Sequence, residues 1–457
     1  MILNVSRVMI SAAGSNSGKT TVTAAILKAF QLKGNKVASF KAGPDYIDPM
    51  FHSRIIKIPS RNLDKFMIGE NNCRYILGKS SKDMDISVIE GVMGYYDGIG
   101  TDTSCSTYEL ATVLNCPVVL VINPRSMAAS VGAIIHGFKS FRKNSNIKGV
   151  ILNNVSYGMF GYYKKIIESN TDVKVYGYMP NLPNCRLESR HLGLVTAEEV
   201  GNLESIIEQL GEQALKTIDL DSLYELAANA HPIEYTEPNI NYIGKTKIAV
   251  AYDRAFCFYY EDNLDILAQM GAEIVRFSPL KDKEIPEGIG GIYFGGGYPE
   301  LYIKELSENK SMLDAIKEKV TKGLPTFAEC GGYMYLMDSF SDKEGNLYNL
   351  VGAIEGNSYM TDSLKKFGYI TLTSQNNNLM CKSGESINGH EFHYSDSNNT
   401  GEAFLAVKPQ SERSWKAIIA DETKFVGYPH INFMGNINFA ENFVKKSAEH
   451  SKLNSKE

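Results

Sequence analysis

The stretch VSRVMISAAGSNSGKTTVTAAI, residues 5–26, decides how the first half of the chain is read. An apolar run enters a glycine- and serine-rich turn, and helix-forming residues follow. The strict phosphate-loop pattern GxxxxGK[ST] asks for glycine where this chain has Ala13 and moves it to Gly14. The physics of the loop survives that displacement. Gly14 and Gly18 let the backbone N–H groups of Gly14, Ser15, Asn16, Ser17 and Gly18 wrap an anion. Lys19 supplies a point charge for terminal phosphates, the Thr20 hydroxyl can ligate Mg²⁺, and Thr21 follows in the helix.

Working outward, short apolar runs alternate with helical segments over the first 230 residues. VSRVMIS, KVASF, DISVIE, PVVLVIN, IKGVILNNV and VKVYGYM are continuously apolar, as parallel strands buried on both faces must be. This alternation predicts a doubly wound α/β sheet, with ligands bound beyond the carboxyl ends of its strands. Lys41, Asp45 and Asp48 after KVASF, Glu90 ending DISVIE, Asn123 after PVVLVI and Asn153 after GVIL fall there. An enzyme that uses a nucleoside triphosphate on a carboxylic acid needs carboxylates for a metal and a lysine for anions, and this set supplies both.

A proline- and asparagine-rich break, HPIEYTEPNINYIGK, separates that half from a second α/β series: KIAVAYD, AEIVRFSP, GIGGIYFGGG and PTFAEC, followed by a β-rich stretch. The expected organisation is a nucleotide-binding domain over 1–230, a linker over 231–245, a second doubly wound domain over 246–445 and a frayed polar tail over 446–457. Of the 457 residues, 43% are hydrophobic and 22% charged, and the net charge is −5, the profile of an ordinary globular protein without an electrostatic pull toward nucleic acid. No run approaches the roughly 18 apolar residues of a membrane span and no signal peptide is apparent, so a cytoplasmic protein is expected. Seven scattered cysteines without CxxC pairs fit a reducing compartment and exclude a disulfide framework or a zinc knuckle.

One cysteine stands apart. In PTFAECGGYMYL, residues 325–336, Cys330 lies between an apolar strand and two glycines that open a helix. A strained strand-to-helix turn needs small neighbours to expose a nucleophile, and the helix start favours negative charge on the sulfur. The Gly331 N–H can serve as one oxyanion donor, and Gly296, in the glycine run of FGGGYPELY, as a second. The base should be a histidine. His430 in FVGYPHINFMGN is the candidate, with His390 and His393 of NGHEFHYS as rivals; HEFH lacks the HExxH spacing of a zinc protease.

GSNSGKTT (14–21), KAGPDYIDPMFH (41–52) and VIEGVMGYYDG (88–98) together resemble the cobyrinate a,c-diamide synthase family. RHLGLV (190–195), VAYDRAFCFYYEDNL (250–264) and GHEFHYS (389–395) extend the likeness to residues 5–440. The resemblance implies an N-terminal domain like that of dethiobiotin synthetase and a C-terminal class I glutamine amidotransferase domain. It implies ATP and L-glutamine as co-substrates, Mg²⁺ held by Thr20, Asp45 and Glu90, and Cys330 with His430 as the glutamine-hydrolysing pair. A tetrapyrrole or corrinoid polycarboxylate would be amidated at its a and c acetates, with Lys41, Tyr46 and Arg190 as substrate contacts. Cobyrinic acid, nickel-sirohydrochlorin and hydrogenobyrinic acid are alternative macrocycles, and a homodimer is among the open oligomeric states. One departure stands out: amidotransferases of this class place a glutamate two residues after the histidine, where this chain has Asn432. A nucleotide-switch ATPase with an inactive second domain is the rival from another class. Such switches carry a second lysine early in the loop, where this chain has Ala12 and Ala13.

Overall fold

A computed structural model describes residues 1–185 and 203–454, together with the backbone of 189–190 and 193–194. The chain forms two compact units: Met1–Lys65 with Gly69–Pro238, and Phe66–Ile68 with Asn239–Glu457. The division after Pro238 falls inside the stretch expected to link two domains. Within that stretch Ile233–Glu234 pairs with Ile2–Leu3 and so belongs to the first unit.

The first unit is built on seven parallel strands: β1 (Arg7–Ala12), β2 (Val37–Ala42), β3 (Ser60–Leu63), β4 (Ile86–Glu90), β5 (Val118–Ile122), β6 (Ile147–Asn153) and β7 (Lys174–Met179). Their order across the sheet is β3-β2-β4-β1-β5-β6-β7. Six coincide with the continuously apolar runs, and β1, β2, β4 and β5 are buried at every residue. The seventh, β3, has the sequence SRNL and no apolar run to announce it. Pairing makes it a strand, with Ser39 opposite Ser60 and Ala42 opposite Leu63, and Asn62 Nδ2 ties it to the Gly43 and Asp45 carbonyls at 2.9 and 2.6 Å. Helix α1 (Lys19–Leu32) leaves the loop after β1 and buries Val22, Ala25, Ile26, Ala29 and Phe30.

The second unit is built on two main sheets, and a four-stranded and a two-stranded sheet accompany them. In the first, β8 (Thr246–Ala251), β9 (Ala272–Phe277), β10 (Gly291–Phe294) and β11 (Thr326–Glu329) lie parallel with β16 (Lys424–Gly427), in the order β9-β8-β10-β11-β16, and residues 419–420 add an antiparallel edge. The second sheet is antiparallel: β12 (Lys366–Ser374), β13 (Ser386–His393), β14 (Phe404–Val407), β15 (Ser414–Ala417) and β17 (His430–Ile431), in the order β15-β14-β12-β13-β17. Helix α2 (Gly331–Leu336) follows β11 directly and is wholly buried. No helix among the described residues is long and apolar enough to cross a membrane.

The expected frayed tail is corrected. Helix α3 runs Ile437–Asn454 with Ser447 fully buried and Ala448 at 5% exposure. Its polar composition hides a narrow face of small residues that packs on two glycines. A Cβ at Gly290 would stand 2.1 Å from the Ser447 carbonyl oxygen, and one at Gly291 would stand 2.3 Å from Ser447 Oγ. Gly290→Val should therefore push the helix off the sheet. We expect a loss of about 2 kcal/mol, seen as a Tm several degrees lower in thermal unfolding. Truncation after Lys445 should destabilise comparably, whereas a frayed tail would make it neutral.

Candidate active sites of the two units

In the first unit the loop between β1 and α1 is fixed from within and by a neighbouring strand. Gly18 takes the left-handed conformation (φ 85°) and a Cβ there would meet Asn153 Nδ2 at 2.0 Å, so only glycine fits. Asn153, at the end of β6, donates to the Ser17 carbonyl (3.0 Å), and Ser17 Oγ donates to the Gly14 carbonyl (2.8 Å). Ser15 and Asn16 are exposed on the loop. Asn16, Gly18, Thr21 and Asn153 line a cavity of about 300 Å³ together with Asn154, Pro180 and Asn181. Those last three complete a polar-edged slot beside the phosphate loop and were not singled out from sequence. Nothing marks a loop amide as a lining residue until the strand ends converge.

The acidic candidates gather around one lysine. Lys41 is buried at the end of β2, hydrogen-bonds Asp48, lies 3.0 Å from Glu90 Oε1 and lies 3.9 Å from Asp45 Oδ2. Burial works against its charge, yet these carboxylates outweigh it and raise its pKa. Lys41 thus organises carboxylates, rather than standing ready as an open anion site. Glu90, with no exposure, accepts from Thr20 Oγ1 at 2.6 Å and faces His52 Nε2 at 3.4 Å. Despite burial, Lys41 and His52 hold its carboxylate well below the usual range. His52 is itself fully buried, with Nδ1 2.9 Å from Ser39 Oγ. It closes the quoted KAGPDYIDPMFH stretch, but no sequence signal distinguishes it from a packing residue. Asp45 is half-buried, and burial with the neighbouring Asp48 pushes its pKa up to about 7. Lys19 donates to the Met93 carbonyl (2.8 Å), and burial with the proximity of Lys41 lowers its pKa to about 8. Tyr46 is buried, and the Arg190 side chain lies outside the described residues.

In the second unit Cys330 sits between β11 and α2 at φ 47°, ψ −105°, a strained conformation for a residue with a Cβ. Its N–H is held by the Gly427 carbonyl of the adjacent β16 (2.8 Å). Space for this turn depends on the glycines. A Cβ at Gly331 would meet Pro299 Cδ at 2.8 Å, and one at Gly332 would meet the Phe294 carbonyl oxygen at 2.5 Å. The 295–297 run reaches the same place: a Cβ at Gly296 would stand 2.6 Å from His430 Cε1. Within that run the Gly295 N–H is engaged by Tyr259 Oη at 2.8 Å.

His430 is the histidine that meets the thiol. Burial disfavours its charge, but hydrogen bonding to Cys330 and the charge of Glu329 prevail and raise its pKa to about 10. The rivals lie elsewhere. His390 pairs across the strands with His430, and burial with the nearby His430 and Lys408 lowers its pKa to about 3. His393 stacks on Tyr428 (centroids 3.9 Å apart), and its Nδ1 lies 2.7 Å from the Ser395 carbonyl oxygen.

The Lys41 cluster makes a direct prediction. Lys41→Met leaves Glu90 and Asp48 buried without their cation and should cost about 3 kcal/mol or more. Urea unfolding should show the first unit lost at lower denaturant. An unchanged midpoint would mean that the cluster is not held by this lysine.

Residues 8–195 match the family described as the CobQ/CobB/MinD/ParA nucleotide binding domain, and residues 247–436 match the CobB/CobQ-like glutamine amidotransferase domain. The chain is 43% identical to the cobyrinate a,c-diamide synthase of Clostridium tetani over 446 residues, covering 96% of this chain and 99% of that protein. It is 42% identical over 427 residues to that of Caldanaerobacter subterraneus, covering 93% and 94%. The archaeal synthase of Thermoplasma volcanium is 39% identical over 455 residues, covering 98% and 99%. These matches run through both units, and the chain belongs to the cobyrinate a,c-diamide synthase family.

Proposed function

We propose that this chain amidates the a and c acetates of cobyrinic acid, using ATP to activate each carboxylate and glutamine to supply nitrogen. Family membership makes it a glutamine-hydrolysing amidoligase of corrinoid chemistry. The observation that carries the finer reading is Cys330 at a strained strand-to-helix turn, with the His430 ring against the neighbouring glycine run at Gly296.

Two chemical obstacles explain the two units. A carboxylate is a poor electrophile, and free ammonia is mostly protonated at neutral pH. In the first unit, the loop N–H groups and Lys19 would bind the triphosphate, and Asn153 keeps the loop in shape. Transfer of the terminal phosphoryl group to the substrate carboxylate gives an acyl phosphate and ADP; ammonia then attacks the acyl carbon and expels inorganic phosphate. Lys41, fixed among carboxylates, sets the positions of Glu90 and Asp45. Thr20, Glu90 and Asp45 offer oxygen donors of the kind Mg²⁺ takes, and Thr20 and Glu90 already lie within 2.6 Å of each other. Among the described residues no group of three or more His, Cys, Asp or Glu could hold a metal. Mg²⁺ takes one or two carboxylates and fills its remaining positions with phosphate oxygens and water. When bound, it would neutralise charge on the transferring group.

In the second unit, the proton shared by Cys330 and His430 rests on the imidazole, and the thiolate attacks the side-chain amide of glutamine. The tetrahedral oxyanion can be met by backbone N–H groups at Gly331 and Gly296. Collapse expels ammonia, protonated on the way out by His430, and water then hydrolyses the glutamyl thioester.

Mass spectrometry after incubation with glutamine and Mg·ATP tests the substrate. Two acid-to-amide conversions are expected on cobyrinic acid and none on nickel-sirohydrochlorin. Conversion of the nickel compound alone would overturn the macrocycle while leaving the chemistry intact. Cys330→Ala should abolish glutamine-driven amidation yet spare amidation with ammonium salts. Lys19→Ala should lower both rates by about 10²-fold or more.

A further inference from the structure

Asn432, which holds the place of the usual third residue, is engaged locally: its side-chain oxygen accepts the Met434 N–H at 3.0 Å and caps a short helix. A carboxylate nonetheless reaches the imidazole from the other side. Glu329 is the last residue of β11, immediately before the cysteine, and is fully buried. Its Oε2 lies 3.9 Å from His430 Nδ1, and its two oxygens are fixed independently. Tyr293 Oη, on β10, donates to Oε2 at 2.8 Å, and the Ile431 N–H, on β17, donates to Oε1 at 2.8 Å.

We propose that Glu329 is the positioning residue of the glutaminase site, orienting His430 through Nδ1 so that Nε2 serves the Cys330 sulfur. The proposal rests on the reading of Cys330 and His430 given above. A separation of 3.9 Å exceeds a hydrogen bond, but catalytic contacts are often long before substrate binds and tighten as the imidazolium forms. The placement satisfies the logic of a third residue: a buried carboxylate, locked by two donors, beside the ring nitrogen that does not serve the nucleophile. It also accounts for a charged residue at the end of an apolar strand. The raised pKa of His430 has this carboxylate among its causes.

Glutamine hydrolysis by Glu329→Gln in the full chain is the test. The substitution keeps the acceptor for Ile431 and removes the charge. We expect kcat to fall about 10- to 100-fold with KM for glutamine within about two-fold, a smaller loss than the roughly 10⁴-fold seen when a serine-protease triad loses its carboxylate. Ammonium-driven amidation should be unchanged, which a general structural defect would not allow. A kcat within about two-fold of the unsubstituted protein, or a parallel fall in the ammonium-driven rate, would overturn the proposal. Should the variant fail to fold, ¹⁵N-histidine NMR of the unsubstituted protein decides. A downfield Nδ1–H resonance that vanishes in His430→Asn supports the proposal, and its absence refutes it. If Cys330→Ala retains glutamine-driven activity, the underlying assignment of the pair fails instead.

Discussion

Both sites proposed for this protein are organised by a carboxylate that has been taken fully out of water at the carboxyl end of a central parallel strand. Glu90 ends β4 in the first unit and Glu329 ends β11 in the second, each with no exposure. Burying an ionised carboxylate costs several kcal/mol unless charge and hydrogen bonds replace its hydration, so partners must be fixed around it. Around Glu90 these are Lys41, Thr20 and His52; around Glu329 they are Tyr293, the Ile431 N–H and His430. In each unit the obligation to satisfy one acid draws together residues from strands far apart in sequence. The phosphate loop and the thiol sit beside these anchors.

The second constraint is steric. Cys330 holds a positive φ because its strand stops while the chain must turn at once into α2, and Gly331, Gly332 and Gly296 leave no side chain in the way. Gly18 plays the same part opposite Asn153. A short strained turn supported by a rigid sheet holds a side chain in one place without giving it freedom to wander. The strain is tolerable because the surrounding strands are buried and fully paired.

These constraints decide what the sequence reveals. Continuous apolar runs announce parallel strands, so six strands of the first sheet and the four leading into the cysteine were legible. The displaced glycine of the phosphate loop did not hide it, since Gly18, Lys19 and Thr20 kept their places between strand and helix. Strand β3 was not legible, because SRNL is a strand only by virtue of its neighbour. Nor was the end of α3, whose contact face is a line of small residues against Gly290 and Gly291. His52 and Glu329 were visible as letters inside quoted motifs, yet their roles depend on contacts made after folding. Glu329 reaches a backbone N–H 102 positions later in the chain, and local spacing carries no trace of such a meeting.

Placing the carboxylate before the cysteine, rather than after the histidine, changes how the proposed site is held. With a glutamate two residues beyond the histidine, base and acid share one segment and the thiol is brought to them. Here thiol and acid share the end of β11, and His430 arrives on β17, fastened to Glu329 by the Ile431 N–H next to it. A shift of β17 relative to β11 would therefore disturb the acid–imidazole and imidazole–thiol contacts together. The backbone bond from Ile431 to Glu329 opposes that shift directly. The same carboxylate that faces the imidazole thus also sets the register of the strand that carries it.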